Sequence, residues 1–456
     1  MRELIIAHIE NKDMENLKIL LAKREEEEIE LLHAFHALTS EEQAIVFRLL
    51  SKDHALRIFE ELDTDEQQNL LRSFTDDKAV EFVNELAPDD RVRLLDELPA
   101  SVAKKLINAI SPEERKITNE LMGYKPETAG RVMTTEFIWL GRDMTTAEAL
   151  EKVRTKAQDM ETVYALYVTD NSKKLEGVIS LKELVCASEG TKVEDIMAKK
   201  AVSVTTDTDQ EAVARTLQEL DLLAIPVVDK EGRMVGIVTI DDAIDILEEE
   251  ATEDIYDAAG LADITGREAD RSEILVKGNM WAIWRVRLPF LLITLAAGLL
   301  LGLIMEGFEE VLESIAVVAI FIPLIMDMGG NVGTQSSTVF ARGVVLGHID
   351  VKNFIKHFLK EIGIGLSMGL MIGVAAGAII FFWQSEVPML GLVVGLSLIA
   401  TMTLASLLGF LVPFALIKVN VDQAAGSAPI ITSIKDMAGI LIYFMFVSIF
   451  LGYMMY

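Results

Sequence analysis

Hydrophobic and polar positions change period along this chain. The opening stretch, Met1 to Lys23, is amphipathic and charged, with nothing resembling a signal peptide. A repeat follows. The segments "ALTSEEQ", "ELDTDEQ", "ELAPDDR" and "AISPEER" place an apolar residue at positions 38, 62, 86 and 110, a period of 24. A second set of breaks falls at Ser51, Thr75 and Pro99, again 24 apart. Each repeat reads as two short helices, with N-cap residues or proline at the breaks. Glu, Asp and Gln follow in the first turn, where the helix dipole favours them. Such units bury their apolar faces only by stacking, so residues 38–122 predict a small superhelix.

From about Met133 the pattern becomes strands alternating with helices, in two similar halves. "VMTTEFIWLGRDMTTAEALEKV" matches "IMAKKAVSVTTDTDQEAVARTL" at an offset of 64, and "YALYVTDNSKKLEGVISLKEL" matches "LAIPVVDKEGRMVGIVTIDDA" at an offset of 59. The short apolar runs Ala165–Val168, Gly177–Ile179, Ala224–Val228 and Gly236–Val238 read as strands. This arrangement resembles a pair of CBS domains. The resemblance implies an adenine-nucleotide site at Thr239 and Asp242, which with Gly236 form the spacing G-x-x-T-x-x-D. The first half departs from it, with Ser180 and Glu183 at the matching places. CBS pairs also serve as dimerising scaffolds without nucleotide.

An acidic connector follows, where Glu248, Glu249, Glu250, Glu253, Asp254 and Asp257 crowd a few helical turns. Like charges at this spacing destabilise a helix, and a bound cation would relieve them; a solvated face is the plain alternative. The same choice holds for the acidic rim of the repeat, Glu60, Glu61, Asp63, Asp89, Asp90 and Asp96. The connector ends in Trp281, Trp284, Arg285 and Arg287, residues that anchor at a membrane interface.

Five stretches are long and apolar enough to cross a bilayer: Leu288–Met305, Ile315–Ala341, Ile362–Trp383, Met389–Ile417 and Ala428–Tyr456. Lys and Arg lie before the first, between the second and third, and between the fourth and fifth. The other two loops carry Glu306, Glu309, Glu310, Glu313 and Glu386, and no Lys or Arg. This bias predicts a multi-pass protein of the cell membrane, N-terminus cytoplasmic and C-terminus outside. The amphipathic "DVKNFIKHFLKEI" reads as a surface segment ahead of the third span. Charge divides the same way. Met1–Val276 holds 33 Lys and Arg against 61 Asp and Glu; the rest holds 9 against 10. So acidic a soluble part repels nucleic acid and attracts cations. With Cys186 the single cysteine, an intrachain disulfide and a Cys-rich zinc site are excluded.

Ionisable residues inside spans are costly and mark function. Asp327 lies in "PLIMDMGGNVGTQSS" and Asp436 in "SAPIITSIKDMAGILIY". On a helix, Pro429, Thr432, Ser433 and Gly439 share the face of Asp436, a polar stripe that lipid cannot satisfy. Lys435 points about 100° away. Asn331 follows Asp327 by one turn, among Gly329, Gly330 and Gly333, which allow loosened helix geometry or close packing. Carboxylate, amide and carbonyl oxygens are hard ligands that suit Mg²⁺, Ca²⁺ or Mn²⁺, and no His lies in a span core. An intramembrane aspartyl protease would carry G-x-G-D, which neither aspartate does. A membrane-anchored nucleotide sensor would not need a polar stripe in its anchor. No G-x-x-x-x-G-K-[ST] is present, which argues against an ATP-driven pump.

Helical repeat, CBS pair, acidic connector, five spans, "GGNVGTQ" and a proline seven residues before Asp436 together resemble the MgtE family of Mg²⁺ channels and transporters. The resemblance covers essentially the whole chain. It implies a multidomain membrane protein and not an enzyme: an all-α superhelical N domain (1–130), α/β tandem CBS domains (131–250), a connecting plug helix (251–286) and a five-helix transmembrane pore domain (287–456). It implies a homodimer in the lipid bilayer with one Mg²⁺ pore, lined by Asp436, Asn331, Gly330, Pro429 and Asp422. Ala428 and Gln423 stand where the family often has Gly and Pro. It further implies gating by cytosolic Mg²⁺ on acidic surfaces, for which Asp89, Asp90, Glu61, Glu250, Glu253 and Asp254 are the candidates, with ATP or another adenine nucleotide as a possible ligand of the CBS pair.

Overall fold

The computed structural model describes the chain except residues 12, 24–27, 48, 51–54, 56–57, 60–61, 63–66, 68, 72–75, 99, 263–267, 419–426 and 453–456. It divides into two compact units, residues 1–248 and 249–456.

The first unit opens with short helices. In the later repeats they are Asp76–Glu85, Pro88–Glu97, Ala100–Ala109 and Pro112–Leu121, so corresponding helices start 24 residues apart. The four periodic apolar residues Leu38, Leu62, Leu86 and Ile110 are all buried in one core with Phe35, Phe47 and Phe59. A polar device repeats with the same period. Gln43, Gln67, Arg91 and Arg115 each donate a side-chain N–H to the carbonyl eight residues earlier, on Phe35, Phe59, Val83 and Ile107, at 3.1, 2.7, 2.9 and 2.8 Å. Each bond satisfies a carbonyl at the end of the preceding helix, which the helix itself leaves open.

Two three-stranded sheets follow. β1 (Phe137–Gly141) pairs parallel with β2 (Thr162–Thr169), and β2 antiparallel with β3 (Leu175–Ser180). β4 (Val204–Thr205), β5 (Ala224–Val228) and β6 (Met234–Thr239) repeat that order. Tyr167 and Ile237 share a small core joining the two halves. Ser180 and Glu183, which break the nucleotide spacing in the first half, form a capping box: Ser180 Oγ accepts from the Glu183 N–H, and the Glu183 carboxylate accepts from Ser180.

The connector differs from a single plug helix over 251–286. One helix, Ile240–Ala258, starts within the CBS pair and ends at Gly260, whose φ of +72° favours glycine. A helix Glu268–Lys277 follows, and Asn279 then caps the long helix Met280–Glu306. Arg271 is fully buried and holds this corner. It donates to Asp257 at 2.7 Å and to the Leu261 carbonyl at 3.1 Å, and lies over the Tyr256 ring.

Among the described residues, five helices are long and apolar enough to span a membrane: Met280–Glu306, Ala316–Val345, Val351–Trp383, Met389–Lys418 and Thr432–Leu451. They are numbered spans one to five. The amphipathic segment before span three is not a separate surface element. Phe354 stacks on Phe414 of span four, and the helix Phe354–Trp383 runs unbroken. Spans three and four meet through glycine: a methyl on Gly373 or Gly395 would overlap the backbone oxygen of the other.

Candidate functional site

The fifth span supplies an intramembrane carboxylate. Thr432, Ser433 and Asp436 line a cavity of about 410 Å³. Its other walls are Thr294, Ala297, Gly298 and Leu301 of span one, Met326 of span two, and Ala258 at the end of the acidic helix. Oxygen donors stand on one side and apolar groups on most of the other.

The remaining sequence candidates fall elsewhere. Gly439 does not share the cavity; it is buried, and a methyl there would touch Thr401. Gly330 and Asn331 are not brought to the cavity either. Asn331 is exposed on span two in a stripe with Asp327, Thr334, Gln335 and Thr338. The Gly330 carbonyl accepts a 3.1 Å hydrogen bond from Lys435 Nζ. Pro429 lies in the first turn of the helix Ser427–Leu451. Asp422 and Glu61 lie outside the described residues.

Asp89 and Asp90 start the helix Pro88–Glu97 and share an acidic cluster with the CBS pair. Burial, then the charges of Asp242, Asp90 and Glu161, hold the Asp89 carboxyl well above its ordinary range. Asp89 Oδ1 is buried and, among the described residues, has no hydrogen-bond partner. Burial pushes Asp90 up to about 6, against Arg93 and with Glu161, Asp241 and Asp245 adding. Burial likewise pushes Asp242 up to about 7; its 2.7 Å hydrogen bond from Thr239 opposes this, and Asp90 and Asp241 reinforce it. Glu136 rises to about 7 through burial, then Glu161 and Glu114. Arg93 neutralises part of the cluster by pairing with Asp245 at 3.0 Å. Among the described residues no three His, Cys, Asp or Glu side chains converge into a ready-made metal site. The cluster is an acidic field rather than a finished coordination shell.

The acidic helix Ile240–Ala258 carries Asp241, Asp242 and Asp245 near its start and Glu250, Glu253, Asp254 and Asp257 near its end. The Glu253 carbonyl accepts from Arg271 at 3.4 Å, Asp254 pairs with Arg342 of span two at 3.8 Å, and Glu250 is half-buried.

Known proteins match along the same divisions. The intracellular N domain of MgtE matches residues 26–127, CBS domains match 129–190 and 193–249, and the domain described as a divalent cation transporter matches 322–446. "Magnesium transporter MgtE" of Thermus thermophilus is 39% identical over 326 residues, covering 71% of this chain and 70% of that protein. The chain belongs to the MgtE family. The protein of the same name from Enterococcus faecalis is 34% identical, covering 73% of this chain and 71% of its own. Among solved structures, the cytosolic domain of the Mg²⁺ channel MgtE in complex with ATP aligns with a TM-score of 0.51 and 34% identity, over 54% of this chain and all of that one. MgtE membership makes this a multi-pass membrane protein of a transporter family, not an enzyme.

One intramembrane carboxylate of this MgtE chain escaped the sequence reading. Glu361, placed just outside span three there, is buried and accepts from Ser336 Oγ of span two at 2.6 Å. Ser406 of span four comes within 3.2 Å of the same carboxylate oxygen. Its signal was an acid one residue from an apolar run, with serines in the two neighbouring spans. Lys435, read as pointing away from Asp436, does so, but into span two and not into solvent.

Proposed function

We propose that the chain carries Mg²⁺ across the cell membrane as a homodimer, with Asp436 as the intramembrane ligand of the hydrated ion. Asn331, Gly330, Pro429 and Asp422 belong to the same path in this reading. The observation that carries it is the cavity where Asp436 sits with Thr432 and Ser433 among spans one, two and five. Mg²⁺ holds oxygens at ~2.1 Å and gives up water reluctantly, so it suits carboxylate and hydroxyl oxygens that act through its water shell. The names of the Thermus and Enterococcus relatives support Mg²⁺ as cargo. The Lys and Arg bias of the loops supports a cytoplasmic N-terminus and an outside C-terminus.

Cytosolic Mg²⁺ closes the path in this reading. The seat is the cluster of Asp89, Asp90 and Asp242, where Asp89 Oδ1, buried and without a hydrogen-bond partner among the described residues, fits a cation. The helix from Asp242 to Asp254 carries the signal, with Glu250 and Glu253 on its way. Ion-free, the carboxylates repel; ion-bound, they hold together. The ion acts only to the extent that it binds the closed arrangement better than the open one.

The ATP complex of the relative's cytosolic domain supports an adenine nucleotide at this CBS pair. Thr239 and Asp242 fit it poorly, because a polyphosphate there would meet Asp89, Asp90 and Asp241. We assign Asp242 to the cation cluster.

Mg²⁺ uptake into proteoliposomes, wild type beside Asp436→Ala, tests the transport reading. The expected result is loss of uptake in a monodisperse mutant. Equal uptake would move the ion path away from span five.

A further inference from the structure

Lys435 is a buried charge in a place where charge is expensive. Its residue is 2% exposed, in the first turn of span five. Hydrocarbon cannot solvate an ammonium, so such a residue persists only with a polar partner and a task. Its partner is unusual for a cation. Nζ donates to the backbone carbonyl of Gly330 at 3.1 Å, and among the described residues no carboxylate comes within ion-pair distance. Span two makes room for it, because any side chain at Gly333 would collide with Lys435 Cδ, Cε and Nζ. The next residue, Asp436, opens into the cavity with Thr432 and Ser433. Lys435 and Asp436, neighbours in sequence, therefore point about 100° apart on the helix, one into span two and the other into the cavity.

We propose that Lys435 is a fixed counter-charge that sets how tightly the cavity holds its ion. This rests on the reading of Asp436 as the ion's ligand. A divalent cation at a carboxylate in a low-dielectric site binds strongly, and a transport path needs binding weak enough for release. An immobile positive charge beside the carboxylate offsets part of its attraction at every moment of the passage. The Gly330 hydrogen bond keeps that charge from swinging into the cavity, where it would occupy the ion's place. Lys435 thus acts through Asp436 as a positioning residue, without touching the ion.

The experiment is the Mg²⁺ dependence of uptake into proteoliposomes for wild type, Lys435→Met, Lys435→Gln and Asp436→Ala. Removing the charge should lower the half-saturating Mg²⁺ concentration on the order of tenfold, with a lower maximal rate as release slows. Lys435→Gln keeps an N–H donor without the charge and should show the same shift, which covers the case in which Lys435→Met fails to fold. A Gln variant that folds and half-saturates at the wild-type concentration, whatever its maximal rate, overturns the proposal by reducing Lys435 to a packing element. The parent reading fails separately: if Asp436→Ala transports like wild type, Asp436 is not the ligand; if it is inactive while Lys435→Gln keeps the wild-type half-saturation, only the counter-charge idea falls.

Discussion

Ser336 on span two donates a 2.6 Å hydrogen bond to the Glu361 carboxylate on span three, at a point where Ser406 of span four also arrives. Three helices thus share one buried oxygen. Glu361→Ala removes the carboxylate that both serines approach and leaves a void, while Ser336 Oγ keeps Ser406 Oγ at 3.2 Å and Ser406 Oγ keeps the backbone carbonyl of residue 361 at 3.0 Å; a lost hydrogen bond costs about 0.5–1.5 kcal/mol. The expected outcome is a clear fall in the thermal midpoint of the detergent-solubilised protein, with Glu361→Gln milder because it keeps an acceptor. A midpoint for Glu361→Ala within error of wild type would show that the three-helix junction contributes nothing.

Asp89 and Asp242 come from different domains, and the charge of Asp242 adds to burial in raising the proton affinity of Asp89. Their carboxyls, with Asp90 and Glu136, bind protons more tightly in the folded chain than in the unfolded one. Between about pH 4 and pH 7 the folded state then holds more protons, so stability falls as pH rises through that window. Without divalent cations, the fragment 1–258 should melt lower at pH 7.5 than at pH 5.5. Mg²⁺ should restore the midpoint at pH 7.5 and do less at pH 5.5, where protons already occupy the carboxylates. Asp89→Asn should raise the ion-free midpoint at pH 7.5 by a few degrees and shrink the Mg²⁺ effect. A Mg²⁺ response identical in wild type and Asp89→Asn would remove Asp89 from the regulatory site.

Gly373 and Gly363 lie on the same helix in different surroundings. A methyl at Gly373 would stand 2.5 Å from the Gly395 carbonyl oxygen, a backbone atom that cannot turn aside. A methyl at Gly363 meets nothing within 4 Å. Gly373→Ala should therefore push spans three and four apart at about 1–3 kcal/mol, while Gly363→Ala should gain up to about 1 kcal/mol from helix propensity. Opposite shifts of the unfolding midpoint are expected, and equal shifts would mean that the two spans do not pack as closely as the glycines allow.

What could be read from the sequence was what repeats or what is local. Leu38, Leu62, Leu86 and Ile110 announce themselves by recurrence, and all are core residues. The residues five places on, Gln43 to Arg115, recur as well. Their hydrogen bonds to the carbonyl eight residues earlier depend on how one helix follows another, which spacing alone does not reveal. Asp89 and Asp242 are 153 positions apart, so only the fold brings them together. Asp436 was legible as a lone acid in an apolar run, and so was its face with Thr432 and Ser433. Gly439 misled because a small residue serves a polar path and a tight helix contact equally well. The break of the connector at Gly260 was hidden because its charge pattern continues across the turn.

Span two presents Asp327, Asn331, Thr334, Gln335 and Thr338 on its exposed side, at helical spacing. Lipid tails offer these groups no hydrogen bonds, so the stripe must face a second copy or the ion's water. That makes the proposed dimer testable without a transport assay. In a Cys186→Ser background, Gln335→Cys should form a disulfide-linked dimer on mild oxidation in membranes. Phe382→Cys should not, since Phe382 is 80% exposed and apolar, as a lipid-facing residue is. Two cysteines cross-link only when their Cα atoms approach within about 7 Å, so a negative at Gln335 alone is answered by Thr334→Cys and Thr338→Cys on the same stripe. If all three stay monomeric while Phe382→Cys cross-links, the dimer face lies on span three, and the polar stripe of span two must be satisfied within a single chain.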